Sequence, residues 1–364
     1  DGSFFSEVRA SGNPGAVHFS VSMLAVAGRP TLGFADTVAE TSAIKFEEVI
    51  GQAEALSRDA FDAGAAKSRA DLAELTYDQY RDIRFRRDRA VWRDAKLNFE
   101  IDLFHPGFRF TRPVEVDLVE DGATKSVPFS TDLFDYGPRV EPPSDPSGLS
   151  FSGFRARYPI NAPDRLDEFV VFQGASYFRA VGAGQRYGLS ARGLVINRPD
   201  GNGEEFPDFR KFWLIRPNPG DNSLIVLALL DSPSTTGAYR FTLRPGENTT
   251  IDVELSLFPR VEVQKIGLAP LTSMFLFDAA QRFQYDDFRN AVHDSSGLQM
   301  LTGKGERLIR PLANPALLQI SAFIDNNPRG FGLVQRARDF ADYQDMDTRF
   351  DLRPSAWIEP VGEW

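Results

Sequence analysis

The residues best suited to chemistry lie in one stretch, Val292 to Pro315, which reads V-H-D-S-S-G-L-Q-M-L-T-G-K-G-E-R-L-I-R-P-L-A-N-P. It holds His293, one of three histidines in the chain, joined directly to Asp294. A carboxylate held beside an imidazole and a turn can be oriented and its proton affinity tuned, as general acid–base catalysis requires. The same pair before Ser-Ser-Gly also suits a structural cap or turn, and the pair alone does not choose between the two.

Other polar clusters interrupt the apolar background. G-A-S-Y-F-R at 174–179 and R-Y-G-L-S-A-R-G at 186–193 set Tyr177, Arg179, Tyr187 and Arg192 near glycine-rich turns. Glu204 and Glu205 open G-E-E-F-P-D-F-R-K-F-W, where two carboxylates adjoin four large aromatic residues. Aromatic faces beside carboxylates and arginines suit sugar rings, with an apolar wall for the C–H face and charged partners for the hydroxyls. Phe206, Phe209, Phe212 and Trp213 are equally well explained as core, with the two glutamates solvated on a turn.

Much other chemistry is excluded. There is no cysteine, so disulfides, thiol nucleophiles and thiolate metal sites are all absent. His18, His105 and His293 are scattered, which makes a histidine-rich metal centre improbable. Gly182-Ala183-Gly184 is followed by Gly188, one residue too far for a dinucleotide fingerprint, and Gly303-Lys304-Gly305 lacks the Gly-Lys-Ser/Thr of a phosphate loop. No serine sits in a G-x-S-x-G elbow. No metal or cofactor is expected; carboxylate chemistry or simple binding remains. A net charge of −10 argues against a nucleic-acid or anionic-membrane partner and is compatible with a neutral glycan.

The elements that must position these residues are mostly strands. The 364 residues are 42% hydrophobic and 25% charged, and 31 phenylalanines with 29 glycines and 24 prolines suit many strands joined by tight turns. Short alternating runs recur at Phe169–Phe172, Leu224–Leu230, Tyr239–Leu243, Ile251–Phe258 and Leu317–Phe323, with no crossover helices between them. Phe99, Ile101 and Leu103, then Phe108 and Phe110 across His105-Pro106-Gly107, read as a hairpin, and Val114, Val116 and Leu118 as a further strand. Helical spacing covers 46–62, with a shorter helix at Ala70–Leu75. The prediction is a mainly β chain, a large antiparallel β-sandwich with a few N-terminal helices. E-P-P-S-D-P-S-G at 141–148 reads as a surface loop. Residues 1–45 read as a signal-like or flexible segment: Phe19–Ala27 has the length of a secretion-signal core, and Gly33 and Ala35 suit a cleavage site. Residues 46–364 then form one domain.

Ten pieces in order carry a resemblance: G-A-S-Y-F-R, Y-G-L-S-A-R-G-L, G-E-E-F-P, A-L-L-D-S-P, T-G-A-Y-R-F, L-A-P-L-T-S-M-F-L-F, V-H-D-S-S-G-L, R-P-L-A-N-P, N-P-R-G-F-G-L-V-Q-R and D-L-R-P-S-A-W. From Phe46 to Trp364 the chain resembles the periplasmic glucan biosynthesis proteins OpgG and OpgD (MdoG and MdoD). The resemblance implies a periplasmic protein with a β-sandwich like that of galactose mutarotase, followed by a small immunoglobulin-like domain. It implies hydrolysis or transglycosylation, with inversion, of a β-1,2-linked glucan backbone, with the membrane glucan synthase as a further partner. The Asp of the H-D-S motif, here Asp294, is the implied general base, with His293 as an orienting neighbour. Tyr177, Arg179, Tyr187, Arg192, Glu204, Glu205, Glu306 and Arg310 become candidate cleft residues, and Asp345 a candidate second carboxylate.

Two departures accompany it. The implied general acid follows the G-E-W motif, beyond Trp364, as does the immunoglobulin-like domain. The family's R-Y-D-x-R-P motif has a tyrosine where this chain has Phe350. A non-catalytic glucan-holding module is the alternative; a mutarotase-like epimerase is a third reading, argued from fold alone.

Overall fold

The computed structural model describes residues 17–26, 44–62, 69–197 and 203–364. The chain is mainly β and mainly antiparallel, as expected, with two large sheets. The larger has eleven strands, in the order Arg307–Pro311, Gly297–Leu301, Gly330–Val334, Ser355–Val361, Val17–Val26, Thr249–Pro259, Thr235–Arg244, Leu224–Asp231, Asp208–Ile215, Glu115–Glu120 and Ala123–Ser126. The one parallel pairing in it joins Asp208–Ile215 to Glu115–Glu120. The smaller sheet has six strands: Leu271–Thr272, Ser190–Arg192, Tyr177–Ala180, Arg165–Gln173, Gly153–Ala162 and Glu100–Leu103.

The two sheets meet through phenylalanine. Phe154, Phe172 and Phe178 of the smaller sheet pack edge-on against Phe212 and Phe241 of the larger at centroid separations of 5.0 to 5.5 Å. Edge-to-face rings at this spacing add specific attraction to the area they bury. On its other side the large sheet carries the helix Phe46–Ser57, whose Phe46, Val49 and Ala53 pack on Trp213, Ile225, Leu227 and Ala238. Leu224–Asp231 is therefore covered on both faces, which explains why L-I-V-L-A-L-L is continuously apolar rather than alternating.

Several local expectations need correction. The helix expected over 46–62 ends at Ser57, because Arg260 donates to the carbonyls of Leu56 and Asp59, both at 2.9 Å, and so satisfies its last turn. The piece expected at Ala70–Leu75 runs from Ala70 to Ala73, and a separate helix, Tyr77–Arg81, follows. Its start was marked in the sequence by the Thr76/Gln79 capping box. The hairpin expected around Gly107 does not form. Glu100–Leu103 pairs with Gly153–Ala162 instead, and Gly107 and Phe108, at φ 153° and 56°, turn the chain too tightly to continue a ladder. Leu317–Phe323 is no strand: it lies beyond the edge strand Arg307–Pro311, and Leu317, Leu318 and Ile320 are more than 80% exposed.

Most of the apolar run read as a secretion-signal core falls in the strand Val17–Val26, paired with Thr249–Pro259 and Ser355–Val361. The cleavage site considered at Gly33 and Ala35 lies outside the described residues. The segment 141–148 carries neither helix nor strand, as a loop should. Among the described residues no helix is long and apolar enough to cross a membrane.

The outer face of the six-stranded sheet is polar, and this positions the site. Registers Glu100↔Arg157, Asp102↔Arg155 and Arg157↔Glu168 lay charged side chains in rows across three strands, and Arg179 on the next strand stands opposite Val171. Asp102, fully buried, accepts from Arg155 Nε and Arg157 Nε at 2.8 Å and from Arg87 Nη1 at 3.3 Å. Three guanidinium donors on one carboxylate satisfy it well enough to make its burial tolerable.

Candidate active site

Asp294 follows the two-residue strand Val292–His293, which pairs with Phe275–Phe277. Its backbone N–H donates to Met274 O at 2.8 Å. The Ser-Ser-Gly that follows stitches the site to the large sheet. Ser273 Oγ donates to Ser295 Oγ at 2.8 Å, and the backbone N–H of Ser296 donates to Val334 O at 2.8 Å. The Gly297–Leu301 strand begins immediately after. Asp294 is thus fixed from both sides, with little backbone freedom.

The strand ends at His293 and Asp294 stands in the bend that follows, and the two side chains have different surroundings. The His293 ring is buried, stacked on Phe275 at 5.3 Å and edge-on to Tyr343 at 5.3 Å, and it makes no hydrogen bond to Asp294. Burial lowers its pKa to about 4, so it is a neutral wall of the small core formed with Phe277, Val292, Tyr343 and Phe350. The His293 ring therefore packs in this core rather than against the Asp294 carboxylate, where an orienting neighbour was expected.

Asp294 itself faces a cluster of arginines. Its side chain is 15% exposed, and Oδ1 lies 3.4 Å from Arg353 Nε, whose side chain is 17% exposed. Burial pushes the carboxyl above its usual range, while the charges of Arg353 and Arg179 pull it back down. Burial likewise lowers the Arg353 guanidinium, with Asp294 opposing the shift. Each group makes the other's burial affordable in free-energy terms. Arg353 is held over the Phe350 ring at 5.7 Å and against Gly188, where a Cβ would come within 2.9 Å of its Cδ. Arg186 brings the 186–193 loop to the same place: its N–H donates to Leu352 O at 3.0 Å. Tyr187 follows it, its hydroxyl buried and its pKa raised far above the phenol range by burial.

A second group lies one short strand away. Ser190–Arg192 pairs with Leu271–Thr272, two residues before Met274, and Arg192 stands opposite Tyr177. The Arg192 guanidinium, its side chain 2% exposed, is sandwiched between the rings of Tyr177 at 5.1 Å and Phe206 at 4.7 Å and pairs with Glu204 at 3.3 Å. Arg179, next but one to Tyr177 on the same strand face, is exposed between the two groups.

The remaining candidates lie elsewhere. Glu205 is buried and accepts from Ser234 N–H at 3.0 Å and Ser234 Oγ at 2.8 Å, a structural task. Glu306 is exposed in the turn Thr302–Glu306, at the opposite end of the 297–311 hairpin from Asp294. Arg310 is exposed on the edge strand, over Phe323 at 5.3 Å. Asp345 is committed to its own loop. It accepts from Arg289 Nη1 at 2.7 Å and from the N–H groups of Asp347 and Thr348. Burial pushes its carboxyl up, but the Thr348 amide and Arg289 outweigh this and hold it below its usual range. A carboxyl held ionised in this way is ill suited to donate a proton.

Sequence reasoning missed Arg353 and Glu168. Arg353 stood within D-L-R-P-S-A-W without a partner in view, and only the fold brings it to Asp294. Glu168 was findable: in D-E-F-V-V-F, alternation with the buried Phe169 turns it outward. Among the described residues no group of three or more His, Asp or Glu side chains is arranged to hold a metal ion.

Residues 44–364 match the family described as "Periplasmic glucan biosynthesis protein, MdoG". The chain is 51% identical over 326 residues to "Glucans biosynthesis protein G" of Vibrio cholerae serotype O1, covering 90% of this chain and 60% of that protein. It is 53% identical over 309 residues to the protein of the same name in Rhodopseudomonas palustris, covering 85% and 61% respectively. With the Shewanella frigidimarina protein it shares 53% over 293 residues, covering 80% and 52%. The chain thus spans roughly half to three-fifths of the length of these relatives. With the family pattern matched from residue 44 to residue 364, the chain belongs to the MdoG family of periplasmic glucan biosynthesis proteins.

Proposed function

We propose that this chain acts in the periplasm on the β-1,2-linked backbone of a glucan, as part of an inverting hydrolase or transglycosylase in which Asp294 is the general base. The observation that carries the reading is the placement of Asp294. Its backbone is held by Met274 and the Ser273–Ser295 link, and its carboxylate is only slightly exposed and faced by Arg353 and Arg179. A general base needs a pKa lifted toward the working pH but not beyond it, and burial opposed by two guanidinium groups produces that balance. In an inverting reaction the base takes a proton from water as that water attacks the anomeric carbon. A second carboxyl, about 6.5–9.5 Å across the scissile bond, protonates the leaving oxygen. Asp345 does not suit that task, and the proposal assigns the acid to the part of the longer relatives that this chain does not span. The Arg192–Tyr177–Phe206 sandwich and exposed Arg179 supply an aromatic face and charged hydrogen-bond partners for neighbouring sugars.

One observation favours a non-catalytic glucan-holding module instead. Phe350 is buried against Tyr343 beneath Arg353, where the related motif has a hydroxyl. Linear β-1,2-glucan incubated with this chain, with Asp294→Asn and with the full-length Vibrio cholerae relative separates the readings. New reducing ends from this chain, lost in the variant, support the enzyme. Reducing ends from the full-length protein alone support an acid supplied from outside this span. Binding without turnover by either leaves the holding module, and no binding by either refutes both.

A further inference from the structure

The strand Val17–Val26 stands in the middle of the eleven-stranded sheet, between Thr249–Pro259 and Ser355–Val361. It is antiparallel to both. Val17 lies opposite Leu257 and Ala25 opposite Thr249 on one side; Ser20 lies opposite Val361 and Val26 opposite Ser355 on the other. Both neighbours fall inside the family match, which covers residues 44–364, whereas Val17–Val26 falls outside it. The part of the chain shared with the family therefore contains a slot one strand wide, its facing edges about 10 Å apart, twice the usual strand spacing. Unpaired N–H and C=O groups inside a sheet are seldom tolerated, so the slot calls for a strand from outside the matched span.

The lining defines the strand that fits. Met23 stands opposite Ile251 and Ile358, all three buried, and Val253, Leu255 and Leu257 continue the buried face. The alternate positions face acidic residues: Ser22 is opposite Asp252 and Glu359, and Ser20 opposite Glu254. An incoming strand thus needs apolar side chains at every second residue and neutral or basic ones between them. Its direction is also fixed. The other edge of Ser355–Val361 is already paired with Gly330–Val334, and Gly362, at φ 91°, bends the chain directly after Val361. A strand returning from that bend as a hairpin has one free flank, the slot, and runs there in the direction that Val17–Val26 takes.

We propose that the slot is a strand-acceptor site, occupied here by Val17–Val26, whose other occupant is an alternating strand from the part of the longer relatives that this chain does not span, entering as the hairpin return from Val361. The Vibrio cholerae relative is matched over only 60% of its length, so it has chain to supply. An extended segment seated between two strands gains main-chain hydrogen bonds on both edges at once. The two occupants exclude each other. The incoming strand releases Val17–Val26, most of the run that suits a secretion-signal core, and loss of that segment on export would clear the slot.

Hydrogen exchange on two proteins distinguishes the occupants: this chain, and this chain extended past Trp364 by the residues that follow the matched span in the Vibrio cholerae relative. Each is made with and without Met23→Pro, which removes a ladder hydrogen bond from Val17–Val26. In this chain 17–26 is expected to be protected, and Met23→Pro to speed exchange in Thr249–Pro259 and Ser355–Val361 by about tenfold or more. In the extended protein 17–26 exchanges as an unstructured segment, both flanking strands stay protected, and Met23→Pro changes neither. Protection of 17–26 in the extended protein, with the flanking strands still dependent on Met23, makes Val17–Val26 the resident strand and overturns the proposal. Free exchange of 17–26 in this chain beside protected flanking strands overturns it too, since the slot then needs no strand. Flanking strands left unprotected in the extended protein do the same. Where Met23→Pro leaves this chain unfolded, the two unsubstituted proteins still decide, because protection of 17–26 either disappears on extension or persists.

Discussion

Replacing Arg353 by methionine tests the electrostatics of the site directly. The unbranched methionine side chain retains packing against Gly188 and over Phe350 while removing the charge. Asp294 Oδ1 lies 3.4 Å from Arg353 Nε, and at an effective dielectric of about 20 two unit charges at that distance interact by about 5 kcal/mol. That figure is an upper bound, because both side chains retain some solvent contact and Arg179 remains to attract the carboxylate. An opposite charge within about 4–6 Å ordinarily shifts a carboxyl by about 1–3 pH units, and the lower half of that range is expected here. The direction is upward. Burial already raises the Asp294 carboxyl and Arg353 opposes it, so removing Arg353 leaves burial less opposed. The assay is a carbon-13 NMR titration of the side-chain carboxyl, assigned through Asp294→Asn, which needs no turnover. In any active form, the acid limb of the pH–rate profile moves up by the same amount. An unshifted or lowered Asp294 titration in the methionine variant would refute the pairing and with it the tuning argument for a general base.

Three further outcomes follow from the same contacts. Gly188→Ala places a Cβ 2.9 Å from Arg353 Cδ and 3.2 Å from its Cβ, so it should raise the Asp294 titration as the methionine variant does and cost about 1–3 kcal/mol in urea unfolding. His293 is held neutral, with burial taking its pKa from 6.5 to about 4, so the folded state binds fewer protons than the unfolded chain in that window. Its stabilising contribution is therefore complete above pH 6.5 and is lost as pH falls toward 4; His293→Phe should lose about 2–3 kcal/mol less stability than wild type between pH 7 and 4.5. Glu204→Gln leaves the Arg192 cation between its two rings without its carboxylate, and a loss of about 1–3 kcal/mol is expected, moderated because Glu204 is 22% exposed.

The strands were legible where alternation was backed by bulk. Ile251–Phe258 announces its inward face because Ile251, Val253, Leu255 and Leu257 recur at every second residue. Pairing was not legible to the same degree. Glu100–Leu103 looked like half of a local hairpin, yet its partner lies some fifty residues on, and no local pattern distinguishes those two uses of one strand. Leu317–Phe323 shows the reverse failure: the apolar alternation is present, but nothing among the described residues covers it. The candidate site divides along the same line. Asp294 and its companions were singled out by motif, whereas Arg353, whose charge opposes the effect of burial on Asp294, is 59 residues away and became visible only when the sheets were assembled. The His-Asp adjacency that first drew attention was the misleading part. The strand ends at His293 and the chain bends at Asp294, which leaves His293 in the core and Asp294 facing the site. A carboxylate in the bend after this strand is served by residues from other strands and loops, as Arg353 and Arg179 serve Asp294.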